Sequence, residues 1–188
     1  MKKQAITLGR VGILLPIAVI IPIIGTLAGL AGMILLLISH YNFSKAFEKP
    51  PIFNRALLGT IVTVGGNLIG FIILGISIGL AVFSLEGAAE PAGYQEAMSL
   101  IFGSGFAIFG LIIVLAGLII GTYFYFQSLK DLAEKTGVDL FKTAGLLYFI
   151  GAITSIILIG LLVAFVGWII HIIAYFSIKS EEEEAVTV

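Results

Sequence analysis

Four apolar stretches, roughly residues 11–39, 56–83, 97–127 and 144–178, occupy most of this 188-residue chain and dictate the solvent it can fold in. A membrane core of ~30 Å is crossed by about 20 helical residues, so each stretch is long enough to span. Little polar surface remains to face water, since 60% of the residues are hydrophobic and 11% charged and the mean hydropathy is +1.18. A soluble domain is excluded, and an all-α integral membrane protein is expected.

Pro16, Pro22 and Gly25 interrupt the first stretch. Proline lacks a backbone donor and suits the first turn of a new helix, which places a turn near residues 21–24. The last stretch has its break near 157–160. Six segments follow, at about 8–21, 23–40, 56–83, 97–127, 143–157 and 160–178, arranged as two short terminal hairpins flanking a long central helix pair. Hairpin arms of about 16–18 residues rise only ~24–27 Å, at the short end for spanning, whereas each central helix exceeds ~40 Å and must tilt or project. All six belong to a single transmembrane domain over 1–180, followed by an acidic tail, 181–188, expected to be disordered and solvated. The apolar run after Lys2 and Lys3 is too long for the core of a signal peptide, so it reads as a retained helix.

Charge sets the orientation. With six segments, all ten Lys and Arg residues fall on one side: Lys2, Lys3 and Arg10; Lys45, Lys49 and Arg55; Lys130, Lys135 and Lys142; and Lys179. The other side receives two uncharged turns and the 84–96 loop with Glu86, Glu90 and Glu96. Lys and Arg collect in cytoplasmic loops, so both termini are expected in the cytoplasm and the protein in the cell membrane. The net charge is only -1 and the cations are dispersed, which removes the basic footprint of a nucleic-acid binder.

The two terminal hairpins also match at an offset of 135 residues, Gly25 on Gly160 and Gly32 on Gly167, which suggests a repeated unit with a pseudo-two-fold axis along the membrane normal. Glycines recur seven apart elsewhere, as Gly59 and Gly66, and as Gly103, Gly110 and Gly117. In lipid, helices gain nothing by burying apolar side chains against each other, so small residues that let backbones approach supply the packing. These five are the candidate helix-packing residues.

No ionisable side chain lies at mid-depth in any segment. Thr60, Thr63 and Asn67 share one face at i, i+3 and i+7, with Asn67 the deepest strongly polar group. It needs a hydrogen-bonding partner, for which Thr154 and Ser155 are candidates. His40 and His171 occur singly and read as packing residues. Tyr41, Tyr123, Tyr125 and Tyr175 cluster near one boundary, as an aromatic belt does. There is no cysteine, no HExxH, no nucleophile–base pair and no calcium-loop spacing in 84–96, so neither enzyme, metal site nor cofactor is expected.

The segment QSLKDLAEKTGVDLFKTAGLLY carries more internal organisation. Leu129, Leu132 and Ala133 continue a helix out of the membrane, Gly137 suits a helix stop and Asp139 suits an N-cap for the next helix. Three strings, PPIFNRALLG, LAEKTGVDLFKTAGLLYFIGA and AYFSI, resemble the prokaryotic, largely archaeal membrane family known as domain of unknown function 996. The resemblance implies a multi-pass membrane protein and brings no activity or site. Three functions are compatible with these residues. They are helix-mediated assembly as a homo-oligomer or accessory subunit, a channel or solute transporter using the Thr60, Thr63 and Asn67 face, and binding of membrane lipids by the terminal hairpins.

Overall fold

The structure, a computed structural model, describes residues 1–20, 22–86, 93–103 and 105–178. Glu90, Lys179 and the acidic tail lie outside the described residues, as do the side chains of Glu86 and Glu96. The described elements are all helical: α1 (Lys2–Leu14), continued by a 3-10 stretch (Leu15–Ile20), α2 (Pro22–Ala46), α3 (Pro51–Glu86), α4 (Tyr94–Gly103), α5 (Phe106–Thr136), α6 (Leu140–Thr154), a 3-10 turn (Ser155–Ile157) and α7 (Ile159–Ser177).

Each break has a local cause. Pro16 removes a donor inside the first arm, where the helix tightens to 3-10, and Pro22 and Pro51 open α2 and α3 at the position where a missing N–H costs nothing. Gly137, at φ 71°, closes α5 by donating its N–H to Ala133 O at 2.9 Å. Asp139 does precede α6, but its side chain makes no capping hydrogen bond. The break in the last stretch falls on Leu158 in the left-handed region, φ 59°. The stretch expected as one helix over 97–127 is divided into α4 and α5, with Gly105 at φ 73° supplying a backbone conformation that side chains disfavour.

Among the described residues, five helical stretches are long and apolar enough to cross a membrane: Leu27–Ala46, Pro51–Ser84, Phe106–Thr136, Leu140–Ile157 and Ile159–Ser177. The first expected segment, 8–21, contains no helix of that length, because α1 stops at Leu14. Only 17% to 28% of each candidate span is buried within the chain, so most of its apolar surface faces outward. That is the exposure a lipid solvent allows and water does not.

The chain divides into two compact units, Met1–Thr60 with Thr122–Val188, and Ile61–Gly121. In the first unit α1 packs on α2 and α7, and α6 packs on α7. A Cβ placed on Gly12 would lie 2.9 Å from Gly32 O, and one on Gly167 would lie 3.0 Å from Leu147 Cβ. Positions 12 and 32 map onto 147 and 167 at the offset of 135, so both hairpins bring the same pair of positions together.

The tightest core of this unit lies where the polar-flanked helix ends meet, around Ile52, Leu129, Leu132, Phe141 and Tyr175, all 0% exposed. Polar contacts hold it. Ser128 donates to Ile52 O at 2.5 Å. Asp131 receives Arg55 at 2.6 Å and Lys49 at 3.1 Å, and Lys49 also reaches Glu134 at 2.8 Å. The hydrogen bond to Glu134, with Asp131 behind it, raises the Lys49 pKa above its ordinary value and keeps the ammonium charged. Arg10 donates to the carbonyls of Tyr175 and Ile178 at 3.1 and 3.2 Å, a cation at the carbonyl end of α7. The three strings that carry the family resemblance thus converge on one core.

In the second unit α3 and α5 meet at glycines. A Cβ on Gly66 would lie 2.8 Å from Gly117 Cα, and one on Gly110 would lie 2.9 Å from Gly70 O. Ser77 donates to Ile101 O at 3.0 Å, which joins α3 to α4. Gly66→Ala must therefore push two backbones apart and is expected to destabilise the protein by about 1–3 kcal/mol. Gly79, whose Cβ would meet nothing within 4 Å, is the control: Gly79→Ala leaves stability unchanged or raises it by up to about 1 kcal/mol. Thermal unfolding in mild detergent reads both. The same measurement on the ion-pair cluster separates Asp131 from Glu134, whose side chains are 11% and 69% exposed. Asp131→Asn is expected to cost about 1–3 kcal/mol and Glu134→Gln to leave stability nearly unchanged.

Candidate functional site

The sequence-predicted polar face is divided between the units. Thr60 belongs to the first unit and donates to Ala56 O at 2.9 Å. Thr63 and Asn67 belong to the second and are half-buried; Asn67 Oδ1 is fully buried and has no hydrogen-bond partner among the described residues. Thr154 and Ser155, its expected partners, donate to Ile150 O and Ala152 O of their own helix, each at 2.8 Å. Of the candidate packing glycines, Gly59 and Gly117 are buried and Gly66 is half-buried. Gly110 is buried against Gly70, and Gly103 is exposed with open space around it.

The first unit holds a different constellation. His40 and His171, expected as unrelated singles, belong to one ring cluster. The Tyr125 ring lies 5.6 Å from His40 and 6.2 Å from His171. His171 stacks on Tyr175 at 5.2 Å and meets Tyr148 at 5.8 Å and Phe141 at 5.7 Å. Tyr175 is 0% exposed and so part of the core, whereas Tyr41 and Tyr123 are both 44% exposed.

Hydrogen bonds account for one nitrogen of each imidazole. His40 Nδ1 lies 2.8 Å from Leu36 O, which can only accept, so Nδ1 carries the proton. The Tyr148 hydroxyl and His171 Nδ1 lie 3.3 Å apart. The Nε2 atoms of His40 and His171 are buried and have no partner among the described residues. Ser39 donates to Ala5 O at 2.7 Å, and its oxygen is 3.4 Å from the Tyr175 hydroxyl, which links α2, α1 and α7.

Against this cluster lies a cavity of about 800 Å³. Its wall is formed by Ile13, Pro16 and Ile17 of the first arm and by Gly29, Met33, Leu36 and Leu37 of α2. Phe165, Trp168, His171 and Ile172 of α7 complete it, with Thr60, Tyr125 and Tyr148. None of these residues is Lys, Arg, Asp or Glu. Trp168 donates its indole N–H to Ile13 O at 3.1 Å and so ties α7 to α1 at the cavity. A Cβ on Gly29 would meet nothing within 4 Å, which makes Gly29 an open point in the wall.

Trp168, Tyr148 and Met33 were not singled out by motif reasoning, because none belongs to a chemical motif. The signal present was the stripe Trp168, His171 and Tyr175 at i, i+3 and i+7, which puts three polar-tipped rings on one face of an otherwise aliphatic helix. Chemically, the wall offers apolar contact along most of its surface and neutral hydrogen-bonding groups at one cluster. Among the described residues no three His, Cys, Asp or Glu side chains are grouped to hold a metal ion.

A family model described as a protein of unknown function, DUF996, matches residues 28–169. An uncharacterized protein of Methanocaldococcus jannaschii, MJ1644, is 31% identical over 179 residues, covering 95% of this chain and 94% of its own length. No solved structure matches the chain. The match reaches from α2 into α7 and takes in both distinctive strings of the helix-end core that lie within it, and this chain belongs to the DUF996 family.

Proposed function

We propose that the protein is a non-catalytic, multi-pass membrane protein that binds an apolar chain-like molecule from the surrounding lipid in the cavity of its first unit. The observation that carries this reading is the cavity's size and lining together. The space measures about 800 Å³ and is partly open, so the surrounding solvent can enter it. The space is one to be filled. Its walls are apolar along most of their surface, and water needs two to four polar partners to settle in a cavity, so a hydrocarbon chain is the better occupant.

Burial against other apolar groups brings no hydrophobic gain in lipid. The affinity instead comes from restoring dispersion contacts that the lining atoms otherwise lack. The terminal hairpins, whose arms provide most of the wall, are then the functional elements, and α3 and α5 serve as scaffold. Orientation belongs to the same proposal, with the Lys- and Arg-bearing loops and both termini in the cytoplasm.

Assembly and channel readings have less to stand on. Gly66 and Gly117 meet each other inside one unit, as Gly70 and Gly110 do, and are occupied there. Thr60 spends its proton on its own helix. The test uses Gly29→Leu, which projects a side chain into open space without meeting protein atoms. Extraction of the purified, folded protein is expected to yield about one retained apolar molecule per chain in the wild type and a loss of it in Gly29→Leu. Equal yields from the two proteins would contradict the proposal.

A further inference from the structure

We infer that the molecule held in this cavity carries a single uncharged oxygen head, of the alcohol or ketone/quinone kind, that hydrogen-bonds at His171, and that phospholipid and fatty-acid heads are rejected. The inference rests on the cavity reading above and deepens it. Its first support is the wall's charge: no Lys, Arg, Asp or Glu lines the space. A charged head drawn inside would be buried without a counter-charge, which is strongly unfavourable in an apolar site.

The second support is the hydrogen-bond account of the wall. His171 lines the cavity, is itself 0% exposed, and has Nδ1 engaged by Tyr148 at 3.3 Å while Nε2 is left without a partner among the described residues. Buried polar atoms are satisfied in nearly all native sites, so this nitrogen calls for a neutral partner delivered with the ligand.

Tyr148 decides which heads fit. Where the Tyr148 hydroxyl donates to Nδ1, Nε2 carries the proton and donates to a carbonyl or hydroxyl oxygen of the head. Where Nδ1 donates to Tyr148, Nε2 accepts, and only a hydroxyl head can serve it. Alcohols therefore satisfy both tautomers and ketones or quinones one. A plain alkane satisfies neither.

Trp168, the chain's one tryptophan, lines the same cavity and gives the readout. Full-length protein in lipid nanodiscs is titrated with four chains brominated at the far end: dodecanol, a dodecyl methyl ketone, dodecane and dodecyl trimethylammonium. Quenching of Trp168 is expected to saturate with the alcohol at roughly five- to tenfold lower concentration than with the alkane, the worth of one neutral hydrogen bond. The ammonium is expected to give no saturable quenching. His171→Leu is expected to make alcohol and alkane equal. A ketone matching the alcohol assigns the proton to Nε2; a ketone matching the alkane assigns it to Nδ1 and narrows the head to alcohols.

Saturable quenching that disappears in Gly29→Leu but is the same for alcohol, alkane and ammonium would overturn this inference and leave the cavity reading intact. Quenching that is unaffected by Gly29→Leu for every chain would overturn both. Should His171→Leu not fold, the comparison of the four chains in the wild-type protein alone decides the matter.

Discussion

Helices in lipid gain nothing from pressing leucine against leucine, because the solvent is as apolar as the side chain. What joins helices in this chain is accordingly of two kinds. Backbone meets backbone at Gly12 and Gly32, at Gly66 and Gly117, and at Gly70 and Gly110, where a methyl group would already be in collision range. Polar groups pair where the helix ends come together, in the Asp131 cluster with Lys49 and Arg55 and in the Arg10 contacts to the end of α7. The apolar majority of each span is left outward.

That constraint explains why a large cavity can persist. Apolar burial drives a water-soluble core to close on itself, whereas a helix bundle in lipid closes only where small residues or polar pairs draw it together. In the first unit those contacts sit at the hairpin seams and at the helix-end core, and the region between Leu36, Phe165 and Tyr125 has neither glycine pairs nor ion pairs to close it. On the proposed reading, the space is left for a chain that the bilayer supplies. His171, with Tyr148 on one nitrogen, gives that space a polar end.

Much of the helix layout was legible in the residues because its punctuation is local. Pro22 starts a helix, Gly137 stops one, and the break in the last stretch falls inside the expected window, at Leu158. The division of 97–127 was not legible, since Gly105 is one glycine among 23 and nothing near it in sequence marks it as the one with positive φ. The change of helix type inside the first segment was not legible: its apolar run is long, but the α-helix gives way to 3-10 around Pro16. The histidine–tyrosine cluster was missed for a different reason. Its members come from α2, α5, α6 and α7, far apart in sequence, and only tertiary packing shows that His40 and His171 share the Tyr125 ring. Asn67, by contrast, stood out in the sequence; it is half-buried, and its Oδ1 is fully buried without a partner among the described residues.

The central claim is that the cavity of the first unit is a binding space for an apolar chain, and a density map of the protein in its native lipid tests it most directly. The account predicts elongated density running between Met33 and Phe165, with its bulkier end beside His171. Collapse of α7 onto α2 with Trp168 filling the space, or a file of waters along it, would contradict the account.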